Sequence, residues 1–208
     1  MAKKKNKKVE KDEIIRHPYL RGFSKTNWPQ YKSEIKGFIQ LLKDEGVTSY
    51  LEIGCRHGDS YHAVGKVLPK GSLVVGVDLP GARSGKETGG KFQNSHLSLQ
   101  KAGESLTELG QEAYVFIGNS HDPEIIKRVQ QFKHFDAVFI DGDHSPDGVR
   151  ADWENYGLMG DIVAFHDIYG KIHNPTHIMK LFKEVRNDKR WTEFAFNGLD
   201  RGIGVVWR

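Results

Sequence analysis

The sequence predicts an α/β fold in which a mostly parallel sheet is covered by helices on both faces. Five short apolar segments, each of strand length, follow one another along the chain. Stretches with helical spacing of apolar residues separate them, and this alternation is typical of strand–helix–strand units with parallel strands. Two further strand-like segments close the chain with six residues between them. A parallel crossover needs a dozen or more residues, so we expect these two strands to pair antiparallel.

The individual elements follow from the same spacing. An amphipathic helix ends near Gly46, because apolar residues between Trp28 and Leu42 recur every three or four positions. Seven strands are expected at the apolar runs Ser49–Ile53, Leu73–Val77, Ala113–Ile117, Phe135–Ile140, Ile162–Phe165, Trp191–Phe196 and Ile203–Trp207. Further helices are expected to begin near Ser60, Ser95, Pro123, Pro146 and Pro175.

The length and the charge distribution predict one domain and a tail. The chain has 208 residues and a net charge of +4, and its first twelve residues hold six lysines and two acidic residues. The rest of the chain is neutral, with 25 basic and 25 acidic residues. We therefore expect a disordered lysine-rich tail over residues 1–12 and a single domain over residues 13–208. Binding of a nucleic acid or another acidic partner through the tail is the alternative.

The composition also predicts where the protein works. No apolar run is long enough for a membrane span, and no apolar segment follows the N-terminal lysines as in a secretory signal. A lone cysteine, Cys55, cannot form an internal disulfide, which suits a reducing compartment. These features predict a cytoplasmic protein without membrane contact.

A glycine turn and a spaced acidic residue follow the first two strands. Gly54 permits a tight turn, and Gly58 permits close approach of the backbone to a ligand or to a packed helix. Asp78 ends the second strand 24 residues after Gly54, about where an acidic residue accepts hydrogen bonds from ribose in nucleotide-binding folds. The pair favours an adenosine-containing ligand, and the alternative is an ordinary turn with Asp78 as a loop cap.

The third strand is followed by Gly118, Asn119 and Ser120. The amide of Asn119 is able to contact the exocyclic amine of adenine. It is equally suited to cap the helix that begins near Pro123. The sequence leaves both roles open for this residue.

An aspartate and a histidine follow both the fourth and the fifth strand. Asp141 and His144 come after the fourth strand, and His166 and Asp167 come after the fifth. Parallel strands end at one edge of the sheet, so we expect these side chains to converge. Carboxylate and imidazole ligands suit a hard or borderline divalent ion, and His144 would lie close enough to act on a molecule bound to it. The alternative assigns Asp141 to a turn and His166 to the core.

These segments resemble the class I S-adenosylmethionine-dependent methyltransferases. The chain is most similar to the branch with cephalosporin-hydroxylase-like proteins and metal-dependent sugar O-methyltransferases. The resemblance implies a Rossmann-like fold whose seven-stranded sheet ends in a reversed strand. The matching segments are Leu51–Gly54 with Gly58, Val77–Asp78, Gly118–Ser120, Phe139–Ser145 and Ala164–Asp167.

The resemblance also implies S-adenosylmethionine as cofactor and a set of residues that bind it. Asp78 would contact the ribose, Asn119 and Ser120 the adenine, and Asp141 would border the cofactor. The methionine moiety would contact residues of the first strand and the turn after it: Glu52, Gly54, Gly58 and Ser60.

By the same resemblance, magnesium would bind Asp141 and Asp167, and His144 would deprotonate the hydroxyl of the substrate. His166 stands where metal-dependent relatives often carry an acidic residue. Imidazole is a softer ligand than carboxylate, so His166 as a third ligand leaves Mg²⁺, Mn²⁺ or no metal open.

Together with the resemblance, these residues predict a divalent-metal-assisted, S-adenosylmethionine-dependent O-methyltransferase that acts on a hydroxylated small molecule such as a sugar or a diol. One alternative is a metal-independent methyltransferase whose macromolecular acceptor is recruited by the lysine tail. Another is a module that binds S-adenosylmethionine without turnover. A nicotinamide-dependent dehydrogenase is disfavoured, because the turn after the first strand lacks the middle glycine of the dinucleotide motif.

Overall fold

The computed structural model describes residues 32–79, 82–83, 86–87, 95–170, 176–195 and 201–208. The lysine-rich tail over residues 1–12 and the part of the first predicted helix around Trp28 lie outside the described residues. The first helix is therefore described from Lys32 onward.

The described residues form the helices and the seven strands that the sequence predicts, with small changes at their ends, and two further strands of two residues each that the sequence analysis does not predict. No described helix is long and apolar enough to cross a membrane. The helices are α1 (Lys32–Asp44), α2 (Asp59–Gly65), α3 (Ser95–Glu108), α4 (Pro123–Gln130), α5 (Pro146–Asn155) and α6 (His177–Val185). The strands are β1 (Ser49–Ile53), β2 (Leu73–Asp78), β3 (Ala82–Arg83), β4 (Lys86–Glu87), β5 (Glu112–Ile117), β6 (Phe135–Ile140), β7 (Gly160–Phe165), β8 (Trp191–Phe194) and β9 (Ile203–Trp207).

Seven of these strands form one sheet in the order β5-β2-β1-β6-β7-β9-β8. The pairs among β5, β2, β1, β6 and β7 are parallel. Strand β9 is antiparallel to both β7 and β8. The predicted mostly parallel sheet with an antiparallel C-terminal strand is confirmed. Strand β9 does not form the edge of the sheet, because it lies between β7 and β8.

Helices pack against both faces of the sheet, as predicted. Helices α1, α2 and α3 bury their apolar side chains on one face, where the Phe38 ring of α1 lies 5.1 Å from that of Phe139. Helices α4, α5 and α6 cover the other face, where the rings of Phe165 and Phe182 lie 6.1 Å apart. Because helices cover both faces of the sheet, the central strands consist mainly of apolar residues.

The sheet order places the reversal of strand order between β1 and β6. The chain runs outward from β1 through β2 to β5, and it then returns to the other side of β1 to form β6 and β7. Ligands of open α/β sheets bind at the carboxyl ends of the strands beside such a reversal. The loops after β1, β2, β5, β6 and β7 therefore define the place for a site.

Asp136 joins β6 to β1 at the opposite edge of the sheet, where these strands begin. Its Oδ2 accepts hydrogen bonds from the Thr48 backbone N–H at 2.7 Å, from the Thr48 hydroxyl at 2.9 Å and from the Ser49 backbone N–H at 2.9 Å. Burial raises the pKa of Asp136, but these hydrogen bonds outweigh it and hold the pKa below its ordinary value. Asp136 is thus a structural carboxylate far from the carboxyl ends of the strands.

We expect Asp136→Ala to lower the free energy of unfolding at pH 7 by about 1–2 kcal/mol, since hydrogen bonds to a charged acceptor are lost. Urea denaturation measures this difference. The folded pKa is lower than the unfolded one, so the stabilisation is complete above the unfolded pKa of ~3.9 and is lost as the pH falls through the folded value. The difference in the free energy of unfolding between the parent and Asp136→Ala should therefore become smaller in acid. Equal stability at pH 7 would contradict this assignment.

Candidate active site

The loops after β1 and β6 touch at Gly54. This residue has a φ of +91°, and a Cβ atom there would lie 2.1 Å from the carbonyl oxygen of Asp141. The Gly54 N–H donates to the carbonyl of Val77 at 2.8 Å, and the Asp141 N–H donates to the carbonyl of Ile53 at 2.8 Å. The tight turn predicted at Gly54 therefore brings the ends of β1, β2 and β6 together.

Gly58 is the N-cap residue that precedes helix α2, and it permits close packing of this helix. It has a φ of +86°, and a Cβ atom there would lie 2.9 Å from the Cβ of Ala102 in α3. The close helix packing that the sequence allows for Gly58 is therefore present.

Glu52 and Ser60 form a buried pair beneath this turn. The Ser60 hydroxyl donates to Glu52 Oε1 at 2.5 Å, and the Tyr50 hydroxyl donates to Glu52 Oε2 at 2.6 Å. Burial raises the pKa of Glu52 to about 7, against the effect of the two hydrogen bonds. Both oxygens of Glu52 are thus engaged by side chains of β1 and α2.

Asp78 ends β2 with one oxygen engaged and one available. Its Oδ1 accepts a hydrogen bond from the backbone N–H of Arg56 at 2.7 Å, which holds the turn after β1 in place. No described residue donates a hydrogen bond to Oδ2. Burial raises the pKa of Asp78 to about 7, although the contact with Arg56 lowers it. Asp78 therefore acts as a loop cap and still offers an acceptor to a ligand.

Asn119 follows β5 and is exposed. Its Oδ1 accepts a hydrogen bond from the backbone N–H of His121 at 2.9 Å. The N-cap of α4 is Asp122, whose Oδ1 accepts from the Glu124 N–H at 2.9 Å. The helix-cap role that the sequence left open for Asn119 is therefore wrong, and the side chain shapes the turn instead.

The hydroxyl of Ser120 is hydrogen-bonded to the carboxylate of Asp152, a residue that the sequence analysis did not identify. Asp152 of α5 is fully buried. Its Oδ1 accepts a hydrogen bond from the Ser120 hydroxyl at 2.8 Å and lies 3.1 Å from Nε2 of His121. Its Oδ2 accepts from the backbone N–H of Asp143 at 3.4 Å. Asp152 thus connects the loop after β5 with the loop after β6.

The structure brings the four aspartates and histidines that follow β6 and β7 into contact. Asp141 Oδ1 lies 3.0 Å from Nδ1 of His166 and 3.4 Å from Nε2 of His144. The other ring nitrogen of His144 lies 3.6 Å from Asp167 Oδ2. Nδ1 of His166 lies 3.5 Å from Asp167 Oδ1. The convergence expected at this edge of the sheet is therefore present.

The electrostatics of this cluster follow from its mixed charges. Burial raises the pKa of Asp141, but the charges and hydrogen bonds of His166 and His144 outweigh it and bring the pKa well below its ordinary value. Burial lowers the pKa of both histidines, and the nearby carboxylates raise it by more. The net rise is largest for His166, which is 1% exposed.

Three residues of the cluster offer ligand atoms within 4.8 Å of one another: Asp141, His144 and Asp167. The Oδ1 atom of Asp167 is buried and accepts no hydrogen bond from a described residue. Carboxylate oxygens with an imidazole form a suitable donor set for Mg²⁺ or Mn²⁺, and a buried carboxylate oxygen without a hydrogen-bond donor is suited to bind a cation. The residues present therefore fit a divalent ion.

His166 occupies a different place from His144. Its Nδ1 faces Asp141, and its Nε2 lies 3.8 Å from Glu34 Oε2 of α1. The ring also contacts the edge of Phe139, with centroids 5.9 Å apart. His166 is thus enclosed between α1 and Asp141, whereas the side chain of His144 is 39% exposed.

Sequence reasoning missed Glu34, Asp152 and Arg201. Glu34 and Asp152 are both buried, and each occupies a position in its helix where the spacing of neighbours predicts an apolar residue. An acidic residue on the apolar face of a helix was the signal available. Arg201 Nη1 lies 3.7 Å from Asp167 Oδ1, and no local pattern predicts that contact, because it depends on the position of β9.

Residues 51–168 match the sequence model of a family described as a methyltransferase domain. A comparison with curated protein sequences gives no match. The matched segment contains the glycine turn, Asp78, Asp152 and the aspartate–histidine cluster, and it leaves out α1, α6, β8 and β9.

Among solved structures, 247 chains are similar to this one. A putative caffeoyl-CoA O-methyltransferase from Staphylococcus aureus has a TM-score of 0.65 at 14% identity, covering 91% of this chain and 91% of its own. An O-methyltransferase from Bacillus cereus in complex with S-adenosylhomocysteine has a TM-score of 0.64 at 17% identity, covering 91% and 86%. An O-methyltransferase involved in tomaymycin synthesis from Streptomyces achromogenes, in complex with S-adenosylmethionine, has a TM-score of 0.63 at 16% identity, covering 90% and 85%. At these identities the similarity concerns the fold.

Proposed function

The chain belongs to the methyltransferase domain family, and from this premise we propose that it is an S-adenosylmethionine-dependent O-methyltransferase acting on a hydroxylated small molecule. The observation that carries the proposal is the position of Asp78 and of the cluster Asp141, His144 and Asp167 at one edge of the sheet. The names of the Bacillus and Streptomyces structures support this cofactor and an oxygen acceptor for the present chain.

Asp78 is the residue best suited to hold the cofactor. Its Oδ2 is available as an acceptor for ribose hydroxyls, while Oδ1 fixes the turn that begins at Gly54. We assign the adenine to Asn119 and Ser120. The methionine moiety is assigned to the turn after β1, where Glu52 and Ser60 form a buried floor. When bound, S-adenosylmethionine supplies an electrophilic methyl group, and the protein has to align the acceptor oxygen with it.

We assign Asp141 and Asp167 as the ligands of a divalent ion and His144 as the general base. His144 lies within 3.6 Å of both carboxylates, so it is close to any hydroxyl bound beside them. Its imidazole takes the proton of that hydroxyl as the methyl group is transferred. A bound Mg²⁺ or Mn²⁺ would supply Lewis-acid polarisation of the hydroxyl. His166, predicted as a third ligand, holds Asp141 through Nδ1.

One observation favours the metal-independent alternative. Arg201 Nη1 lies 3.7 Å from Asp167 Oδ1, so a cationic side chain already compensates part of the charge of this carboxylate. In that alternative His144 would remain the base, and Asp141 and Asp167 would only orient it.

The test of the proposed cofactor is calorimetric titration with S-adenosylhomocysteine. We expect one binding site for this ligand and no heat with NAD. Asp78→Ala should weaken binding by about 1–3 kcal/mol, because the ribose hydroxyls lose their acceptor. Asp161→Ala is a matched control, since Asp161 is exposed at the start of β7, and it should bind like the parent. Tight binding of NAD, or an Asp78→Ala variant equal to the parent, would refute the assignment.

The test of the proposed metal is chelation. With a screened sugar or diol as acceptor, we expect EDTA to abolish turnover and Mg²⁺ or Mn²⁺ to restore it. Titration with S-adenosylhomocysteine should give nearly the same affinity with and without EDTA, because Asp78 lies on another strand. Full activity in excess EDTA would refute the proposed metal and show that the reaction is metal-independent.

A further inference from the structure

We infer that Asp152 determines the specificity of the cofactor site for adenine, by fixing the Ser120 hydroxyl as a hydrogen-bond acceptor. The inference deepens the proposed function and rests on it, because it assumes that Ser120 borders the adenine. The class of ligand that it selects is a purine with an exocyclic amine, as opposed to one with a carbonyl at the same position.

Hydrogen-bonding groups face both oxygens of Asp152. The carboxylate is fully buried, and a buried carboxylate requires hydrogen-bond donors. The backbone N–H of Asp143, which is only able to donate, faces Oδ2 at 3.4 Å. The imidazole of His121 faces Oδ1 at 3.1 Å, and the hydrogen bond to Asp152 raises the pKa of His121. The backbone N–H of Asp143 and the hydroxyl of Ser120 donate to the two oxygens of Asp152, so the carboxylate is the acceptor in both contacts.

The hydroxyl of Ser120 is the group through which Asp152 would act on the cofactor. Its hydroxyl lies 2.8 Å from Oδ1 of Asp152. Asp152 is the acceptor in this contact, so the single proton of the Ser120 hydroxyl is committed to it. The Ser120 oxygen keeps its lone pairs, and toward any other group it is an acceptor. It is therefore able to receive a hydrogen bond from an amine but unable to donate one to a carbonyl.

The backbone of Ser120 is also held in place, by a residue that directly follows helix α5. The hydroxyl of Tyr156, one turn beyond Asp152, donates to the carbonyl of Ser120 at 2.5 Å. Gly142 packs against the other side of the carboxylate, because a Cβ atom there would lie 2.7 Å from Asp152 Oδ2. Side chain and backbone of Ser120 are both held, so the hydroxyl cannot turn to suit a different purine without breaking a buried contact.

The experiment compares S-adenosylhomocysteine with its deaminated analogue, S-inosylhomocysteine, by calorimetric titration. The two ligands differ in carrying an exocyclic amine or a carbonyl on the purine. We expect the parent to prefer S-adenosylhomocysteine by ~10–100-fold, the usual range when a buried polar group loses its partner. Ser120→Ala should reduce this preference to below about threefold, mainly by weakening the binding of S-adenosylhomocysteine.

Asp152→Asn provides the second variant, because its amide is able to donate to Ser120 and releases the hydroxyl proton. We expect it to bind S-inosylhomocysteine more tightly than the parent does, which a general loss of structure would not produce. Asp136→Ala is the matched structural control, since it loses hydrogen bonds at the other edge of the sheet and should keep the parental preference.

The outcomes separate this inference from the proposed function. If the parent binds neither ligand, the proposed function itself fails. If the parent binds both ligands equally, or if Ser120→Ala keeps the full preference, the inference about Asp152 is overturned while the proposed cofactor stands. An Asp152→Asn variant with the parental preference overturns it as well.

Discussion

His144→Ala is expected to lower turnover by ~10²–10⁴-fold while the affinity for S-adenosylhomocysteine stays unchanged. The structure places the two ring nitrogens of His144 at 3.4 Å from Asp141 and 3.6 Å from Asp167, beside the carboxylates assigned to the ion. A side chain at this position accepts the proton of a bound hydroxyl, and alanine offers no replacement. Steady-state kinetics with a screened acceptor, together with titration of S-adenosylhomocysteine, measures both quantities.

The same variant distinguishes a base from a ligand. If His144 is the base, added Mg²⁺ or Mn²⁺ should not restore turnover. If His144 is the third ligand, as the distances within its cluster allow, high metal concentration should restore part of the activity. His134→Ala is the control, because His134 is an exposed histidine at the opposite edge of the sheet. A His144→Ala enzyme with parental turnover would end the assignment of His144 to the reaction.

Asp141→Asn is expected to weaken the binding of Mn²⁺ or Mg²⁺ by more than ~100-fold and to remove most of the turnover. Loss of a residue that only supports a ligand already costs about 10–100-fold, and Asp141 is proposed as a ligand itself. The amide keeps the size of the side chain but removes the charge that faces His166 and His144. Metal titration followed by calorimetry measures the affinity directly, without an acceptor.

Asp143→Asn is the matched control for this prediction. Asp143 lies two residues further along the same loop, and its Oδ1 accepts a hydrogen bond from the backbone N–H of Ser145 at 2.8 Å. Two groups of potential metal ligands occur among the described residues, one of Asp141, His144 and Asp167 and one of His134, Asp136 and Asp161, and Asp143 belongs to neither, so metal affinity should stay near the parental value. Equal metal affinity in Asp141→Asn and the parent would remove Asp141 from the proposed centre.

The sequence predicted the fold well where burial controls it. Strands buried on both faces are mainly apolar, with Glu52 in β1 and Asp136 in β6 as exceptions, and β1 and β6 have the predicted bounds. Strand β7 begins two residues earlier than predicted, since exposed Asp161 interrupts its apolar run. Helix α6 begins at His177, because Thr176 caps it by accepting from the Met179 N–H. The place of β9 between β7 and β8 depends on long-range pairing, which local spacing does not encode.

The site was predictable to the extent that each residue follows a strand. Asp78, Asp141 and Asp167 lie where the strand ends put them. Partners contributed by helices were not predicted, although Glu34 and Asp152 lie at apolar positions of the helical spacing, because the spacing gives the burial of an acidic residue but not the group that it contacts. The engagement of both Glu52 oxygens depends on Tyr50 and Ser60 pointing to the same side, which is also a tertiary property.

The interior place of β9 has a consequence for biosynthesis. During translation the chain emerges from its N-terminal side, so β7 and β8 are made before the strand that joins them. Until residues 203–207 leave the ribosome, β7 presents an unpaired edge, which is a hazard for aggregation. Arg201 reaches Asp167 only once β9 has docked. A nascent chain stalled before β9 would therefore expose the unpaired edge of β7 and lack the contact between Arg201 and Asp167. We expect such a chain to depend on chaperones more than the chain that includes β9 does.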